Sequence, residues 1–154
     1  MKFFYFSLVL SLSLISFNVF AFGSKTEWVS GWGQGTTEYT ILGMNGSSQL
    51  YFGCNPDNEL FVEYIDPIGH SVTSLDILNN TTKSVYAIVD NNNAFLINDP
   101  LSDSGVSNLR EFWKELRTGK QVYISGTGLI PTVFTLRKAA TVLPPFNKLD
   151  CKFY

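Results

Sequence analysis

The sequence predicts a mainly β protein, α+β by count: a two-sheet antiparallel β-sandwich with one amphipathic helix and a short C-terminal helical segment. Three observations predict it. Apolar and polar residues alternate with a period of two in several short runs, and turn residues separate these runs. Only one stretch has the apolar spacing of a substantial helix. Two cysteines, Cys54 and Cys151, stand 97 residues apart, as expected of a chain closed by one long covalent loop.

Residues 1–21 have the pattern of a cleavable secretory signal peptide. Lys2 supplies a positive charge, an apolar run from Phe3 to Ile15 is interrupted only by serines, and small or modest side chains lead to Ala21. Cleavage is expected after Ala21. The alternative is an uncleaved membrane anchor, which requires about 20 consecutive apolar residues. We therefore expect residues 22–154 to form a single domain that is not inserted in a membrane.

The charge of the mature chain argues against nucleic acid and anionic membrane surfaces as partners. Without Lys2 it has ten basic and thirteen acidic residues, a formal charge of −3. Both classes of partner usually require a clustered basic excess. The one local enrichment has the spacing of a solvated helix face and comprises Arg110, Lys114, Arg117 and Lys120.

The two cysteines predict a structural disulfide between Cys54 and Cys151. An even pair in an exported protein is more often bridged than free, because the compartment is oxidising. Closure of a loop this long stabilises the fold by up to about 5 kcal/mol in the chain-entropy model. His70 lies far from both cysteines in sequence, which makes a tetrahedral metal site unfavourable. No Cys-x-x-Cys motif is present, so we expect neither a redox role nor a metal or cofactor.

The first predicted sheet begins with Glu38–Leu42, a β-rich run that ends at a glycine. The next run, Gln49–Cys54, alternates with Leu50, Phe52 and Cys54 on one face, so the cysteine is expected to point inward. The turn residues Asn55–Asn58 then reverse the chain into Glu59–Ile65. These runs predict the first hairpin.

Two further strand pairs follow. Ser84–Val89 and Ala94–Ile97 are separated by the turn-rich cluster Asp90–Asn93, which predicts a second hairpin. Gln121–Ser125 and Thr132–Leu136, separated by glycines and a proline, predict a third pair.

One stretch predicts an amphipathic helix. Its apolar residues fall at i, i+3, i+4 and i+7 and are Leu109, Phe112, Trp113 and Leu116. Ser107 is placed to cap its start and Gly119 to end it. Lys138–Leu143 predicts the short C-terminal helical segment, which Pro144 and Pro145 would end.

Residues suited to catalysis are few. His70 is the only histidine, and it would need a nearby nucleophile and an orienting carboxylate such as Asp66 or Asp76. A histidine in a turn or on the surface is the more frequent case. The glycine-rich segment 30–35 lacks the Lys-Ser/Thr ending of a phosphate loop. We therefore assign no catalytic residue and expect a protein that is not an enzyme.

Partner contacts are predicted at exposed aromatic and turn residues. Trp28 and Trp32 stand four apart and suit recognition, since Trp concentrates binding energy; alternatively they fill one end of the core, which we favour. The candidate contact residues are Trp28, Trp32, Asn55, Asp57, Asn91 and Asn92.

The order of these features resembles a known group of proteins. An apolar strand ends in Cys54, a turn and an apolar strand follow, a central strand ends in Asp90, and a helix precedes a Gly-Lys turn. A Val-Phe-Thr-Leu strand and the terminal Cys151 complete the order. The chain resembles small periplasmic β-sandwich proteins of the type VI secretion-associated TagO/VasI kind and, more loosely, the invasion-associated protein B family. The resemblance covers residues 38–151 and implies a periplasmic, non-enzymatic protein with bridged cysteines.

Two functional hypotheses follow. The first is an exported module of a Gram-negative bacterium that binds a protein partner in the periplasm and is accessory to an envelope or secretion system. The alternative is a periplasmic inhibitor or immunity protein that neutralises a toxin or a lysozyme-like hydrolase. An inhibitor should present a rigid loop, and the candidate loops are Asn55–Asn58, Asn91–Asn93 and Ser125–Gly128.

Overall fold

The structure, a computed structural model, describes residues 22–153; the predicted signal peptide therefore lies outside the described residues. Nine strands occupy Val29–Gly33 (β1), Thr36–Leu42 (β2), Gln49–Cys54 (β3), Phe61–Ile65 (β4), Ser71–Thr73 (β5), Val85–Val89 (β6), Ala94–Leu96 (β7), Gln121–Gly126 (β8) and Thr132–Thr135 (β9). The helices are Ser74–Leu78 (α1), Asp103–Thr118 (α2) and Ala139–Val142 (α3), with a 3₁₀ turn at Phe146–Lys148. Within residues 22–153, no helix combines the length and the hydropathy needed to cross a membrane.

The strands form two antiparallel sheets, which confirms the predicted mainly β sandwich. Five strands make a meander in the order β1-β2-β3-β4-β5, and four make the second sheet in the order β7-β6-β8-β9. The three predicted hairpins are present as β3–β4, β6–β7 and β8–β9. In the first of these, Phe52 pairs with Val62 and Leu50 with Tyr64, and all four side chains are buried. The period-two pattern therefore identified the inward face of this hairpin correctly.

Helix α2 contacts the inner faces of both sheets. The Trp113 ring lies 5.1 Å from that of Phe52 in an edge-to-face arrangement, and 5.8 Å from that of Tyr39. On the other side, Phe112 lies 6.1 Å from Phe95 of β7. The apolar residues that predicted the helix are fully buried, which places one aromatic core between the sheets.

The predicted start of α2 at Ser107 is wrong, because the helix begins a full turn earlier. Ser102 is its N-cap, and the Ser102 hydroxyl accepts a hydrogen bond from the Gly105 amide at 3.0 Å. A Cβ at position 105 would lie 2.1 Å from the Asp99 carbonyl oxygen. Glycine is therefore needed for close packing inside this first turn, and its low helix propensity hides the turn from the sequence pattern. The predicted end at Gly119 is confirmed.

Strands β1 and β5 and helix α1 were not predicted. Strand β1 pairs with β2 over all five of its residues. Two glycines and a serine within β1 obscure a strand pattern, and the pairing with β2 supplies the hydrogen bonds that stabilise it. The short helix predicted at Lys138–Leu143 is observed as α3.

A buried carboxylate links the two sheets. The Asp66 side chain is fully buried, and its oxygens accept hydrogen bonds from the amides of Ile68, His70 and Ile130 at 3.0, 2.9 and 3.1 Å. The Tyr64 hydroxyl donates to the Ile130 carbonyl and is also hydrogen-bonded to the Thr132 hydroxyl. Tyr64 lies in β4 of the five-stranded sheet and Asp66 follows that strand, whereas Ile130 precedes β9 of the four-stranded sheet. Together these bonds fix the β4–β5 turn against the other sheet.

The predicted disulfide is also present. Cys54 ends β3 and is bonded to Cys151, with their Cα atoms 5.0 Å apart. Beside it, the Lys152 amide donates to the Asn58 carbonyl at 3.0 Å, and Lys152 forms a parallel bridge with Glu59. The C-terminal segment is thus attached to the β3–β4 turn by one covalent bond and by backbone pairing.

We predict that the double variant Cys54→Ala/Cys151→Ala loses about 2–5 kcal/mol of free energy of unfolding, because the denatured chain regains the entropy of a long open loop. Urea unfolding followed by tryptophan fluorescence measures this loss. A reductant should lower the wild-type midpoint towards that of the variant and leave the variant unchanged. A wild-type midpoint indifferent to reductant would contradict the assignment.

A second prediction concerns Asp66. Burial raises the pKa of its carboxyl, but the hydrogen bonds from Ile130, His70 and Ile68 outweigh this effect and the pKa lies below the ordinary value of 3.8. The stabilisation is therefore fully present above that value and is lost as the pH falls through the lowered pKa. We expect Asp66→Asn to be less stable than the wild type at pH 6 and the difference to shrink as the pH approaches 2. A difference independent of pH, measured by urea midpoints, would show that the carboxylate charge does not matter.

Candidate functional site

The chain turns at one end of the five-stranded sheet bring three of the predicted contact residues together. A two-residue turn, Gln34–Gly35, joins β1 to β2, and both residues have positive φ, 50° and 81°. This is the backbone of a tight hairpin turn, for which glycine at the second position is well suited. Trp32 lies one residue before the closing pair of this hairpin, Gly33 with Thr36.

The neighbouring turn, Asn55–Asn58, is held in a defined shape. The Asn55 side-chain oxygen accepts from the Asp57 amide at 2.9 Å, and the Asn58 amide donates to the Asn55 carbonyl at 3.1 Å. The Asn55 side-chain nitrogen also donates to the Gly35 carbonyl at 3.2 Å, which joins the two turns. We call the surface formed by Trp32, Gln34–Gly35 and Asn55–Asn58 the Trp32 end.

Trp32 is the most exposed large apolar residue among those described. Its side chain is 75% exposed. The two turns of the Trp32 end, Gln34–Gly35 and Asn55–Asn58, are nevertheless fixed by hydrogen bonds and by the disulfide at Cys54. Burial of a tryptophan would contribute on the order of 2–3 kcal/mol, and Trp32 does not make that contribution to this fold. Pro56 and Asp57, in the other turn of the Trp32 end, are exposed as well.

Trp28 immediately precedes β1 and is buried, so it is corrected from a candidate contact residue to a core residue. It is 1% exposed, and its ring stacks on that of Phe52 at 5.9 Å. This is the core-filling role that the sequence left open. Its indole nitrogen has no hydrogen-bond partner among the described residues.

Asn91 and Asn92 do not join this surface. They lie in the β6–β7 turn of the other sheet, where Asp90 and Asn91 have positive φ. The Asn92 side chain donates to Glu115 of α2 at 3.2 Å. The six predicted contact residues are therefore divided among the Trp32 end, the core and the β6–β7 turn.

An apolar groove that the sequence did not reveal begins at the Trp32 end. It has a volume of about 330 Å³ and lies between the outer faces of β3 and β4 and helix α1. Asn55 lies at one end, Tyr51 and Phe61 form the floor, and Leu75 and Leu78 of α1 are 49% and 47% exposed. A capping-box pattern at Thr73–Asp76, in which the Thr73 amide donates to Asp76 Oδ2 at 2.8 Å, was the available sequence signal for α1.

Two carboxylates lie beside the floor of the groove. The Tyr51 hydroxyl donates to Glu38 Oε1 at 3.1 Å, and Tyr51 pairs with Glu63 across the strands. Burial, reinforced by the charge of Glu38, raises the pKa of Tyr51, so the phenol remains protonated. Burial also raises the pKa of Glu63. A Cβ at Gly53 would meet the Tyr51 ring at 3.1 Å, so glycine gives this ring room to lie against the sheet.

His70 is not oriented for nucleophilic catalysis. Its side chain is 65% exposed, and Nδ1 lies 3.8 Å from Asp66 Oδ2, which is beyond hydrogen-bonding distance. The Asp66 carboxylate already accepts three backbone hydrogen bonds. Asp76, the other carboxylate considered, is bonded to Thr73. Across residues 22–153, no group of three or more His, Cys, Asp or Glu side chains is placed to hold a metal ion.

Comparison with known protein families gives a match. A model of the YfjT family matches residues 26–143, which include Trp32, the Asn55–Asn58 turn and every strand. No curated protein and no solved structure matches the chain. Since the match covers well over half of the sequence, the chain belongs to the YfjT family.

Proposed function

We propose that this protein is an exported, non-enzymatic protein-binding module that engages its partner through the Trp32 end. The observation that carries the proposal is a tryptophan that is 75% exposed at a rigid end of the fold. Tryptophan is among the residues that contribute most to protein interfaces. A preorganised surface also loses little conformational entropy on binding, so more of the contact energy is available for affinity.

Export is supported by the disulfide and by the N-terminal sequence. A bond between Cys54 and Cys151 persists in oxidising compartments and is rare in the cytosol. The pattern of residues 1–21 is that of a secretory signal. Both observations support our proposal that the protein is exported; we further propose that it acts in the periplasm of a Gram-negative bacterium, as an accessory to an envelope or secretion system.

The geometry of His70 supports a role without catalysis. A general base needs an orienting hydrogen bond and a nucleophile within reach. The exposed imidazole has no such bond from Asp66, whose oxygens are held by backbone amides.

The second candidate function, an inhibitor or immunity protein, is favoured by the Asn55–Asn58 turn. Inhibitors block a cleft with a loop that is rigid before binding. This turn is held from within by Asn55, from one side by Gly35 and from the other by Lys152. Pro56 and Asp57 project from it to solvent. The identity of the partner, a hydrolase or toxin rather than an envelope component, distinguishes this function from the first.

The proposal is tested by photo-crosslinking in the organism that encodes the protein. A photoreactive amino acid replaces Asp57, in the Asn55–Asn58 turn of the Trp32 end, or Met44, which is 72% exposed in the β2–β3 turn at the opposite end of the sheet. We predict an adduct of defined mass from position 57 and none from position 44. Mass spectrometry of the adduct identifies the partner and its crosslinked segment.

A matched pair of substitutions controls for folding. Trp32→Ala should reduce the adduct from position 57 by about tenfold or more, whereas Met44→Ala should leave it unchanged, because a hot-spot tryptophan contributes about 2 kcal/mol or more to binding. Both variants remove exposed side chains and should unfold within about 0.5 kcal/mol of the wild type. Undiminished crosslinking of Trp32→Ala would remove Trp32 from the interface.

A further inference from the structure

We propose that the partner binds as an extended segment that adds to the five-stranded sheet along the free edge of β1, beside Trp32. This inference rests on the proposed function and specifies the binding mode. Strand β1 is the first strand of the sheet and, within residues 22–153, pairs only with β2. In strand addition, main-chain hydrogen bonds supply affinity and alternate side chains supply specificity.

The residue immediately before β1, Trp28, shows which backbone groups of the strand point away from β2. The Trp28 amide donates to the Arg137 carbonyl at 3.0 Å, so it points away from β2. In an antiparallel pair, the N–H and C=O of alternate residues face the same side. The N–H and C=O groups of Ser30 and Trp32 therefore also point away from β2, towards the free edge.

The hairpin turn gives the same assignment independently. The pair that closes a two-residue turn is hydrogen-bonded, and here that pair is Gly33 with Thr36. Gly33, Gly31 and Val29 thus face β2, which leaves Ser30 and Trp32 facing outward. Within the described part of the chain, no group outside the five-stranded sheet is bonded to the amides of Ser30 or Trp32.

Among the described residues, the edge over Val29–Gly33 carries none of the usual protection against strand addition. Natural sheets protect exposed edges with charged side chains, prolines, bulges or covering segments. The sequence of β1 is Val-Ser-Gly-Trp-Gly, which has neither charge nor proline. Its register with β2 is uninterrupted, so there is no bulge. Ser30 and Trp32 are both exposed.

The ends of the edge define what it accepts. Arg137 occupies the position beside Trp28, and the chain leaves the sheet at Gln34, so the open stretch is only as long as β1. The neighbouring charges at the Trp28 end, Glu27 and Lys138, are paired with each other at 2.9 Å. The occupant is therefore a short extended segment, uncharged along β1, with an apolar side chain placed against the Trp32 ring.

A segment of another protein fits this edge better than a second copy of the same chain. If two β1 strands paired antiparallel about Gly31, each copy would bring its own Arg137 segment against the Gln34 turn of the other. A free-ended segment avoids this crowding. A second copy recovered in the adduct would therefore contradict the inference.

The test uses a synthetic peptide that has the sequence of the partner segment crosslinked to position 57. Ser30→Pro removes the outward N–H and places a ring on the edge, and proline is tolerated at such edge positions. Ser30→Ala keeps the N–H. We expect the peptide to bind Ser30→Ala as it binds the wild type, and Ser30→Pro about tenfold or more weakly in calorimetry. Equal affinity for the two variants would overturn strand addition.

A second measurement requires no variant of the protein. Two versions of the peptide are methylated on alternate backbone nitrogens. The first version lacks the N–H groups on one edge of the bound strand, and the second lacks those on the opposite edge. Strand addition predicts that one methylated peptide loses binding and the other retains it. Loss or retention by both contradicts it. If Trp32→Ala abolishes the adduct while both peptides behave alike, the proposed function stands and the inference fails; if position 57 gives no adduct, both fail.

Discussion

The bond between Cys54 and Cys151 is the constraint on which the arrangement of the Trp32 end depends. It attaches the end of β3 to the C-terminal segment, and Lys152 of that segment bonds to the Asn58 carbonyl. The turn fixed in this way bonds through Asn55 to Gly35. A series of short-range contacts thus runs from the disulfide to the hairpin that carries Trp32. The same bond that stabilises the fold against unfolding therefore also preorganises the surface to which we assign binding.

Two tryptophans four residues apart have different environments. Trp28 immediately precedes β1, and Trp32 lies within it. Trp28 stacks on Phe52, which also contacts Trp113 of α2, so it belongs to the aromatic core that joins the two sheets. Trp32 is located near the β1–β2 turn, where it remains 75% exposed. We propose that a partner, rather than the fold, buries this aromatic side chain.

The parts of the fold that the sequence predicted are those with a strong local pattern. Strand β3 alternates strictly, and Leu109, Phe112 and Leu116 mark one helix face, so each could be assigned without knowledge of its neighbours. Strand β1 could not be assigned, because two of its five residues are glycines and its stability comes from pairing with β2. Helix α1 has only five residues, which is too short for a periodic signal.

The candidate site was predictable only in part, for a related reason. Trp32, Asn55 and Asp57 were selected as an aromatic and two turn residues, and the pairing of β2 with β1 and β3 places them at one end. No sequence pattern distinguishes them from Trp28 or Asn92, whose surroundings depend on α2. The groove whose floor is formed by Tyr51 and Phe61 exists because α1 covers only part of the outer face of the five-stranded sheet. Long-range packing decides both outcomes.

Hydrogen exchange of the backbone amides, compared between the isolated protein and its native complex, tests the central claim most directly. If the partner adds a strand at the Trp32 end, the amides of Ser30 and Trp32 exchange rapidly in the isolated protein and become protected in the complex, while those of Gly31 and Gly33 are slow in both. Protection confined to the outer face of the four-stranded sheet, around Tyr86, Tyr123 and Val133, would contradict it and would place the interface on the opposite side of the sandwich.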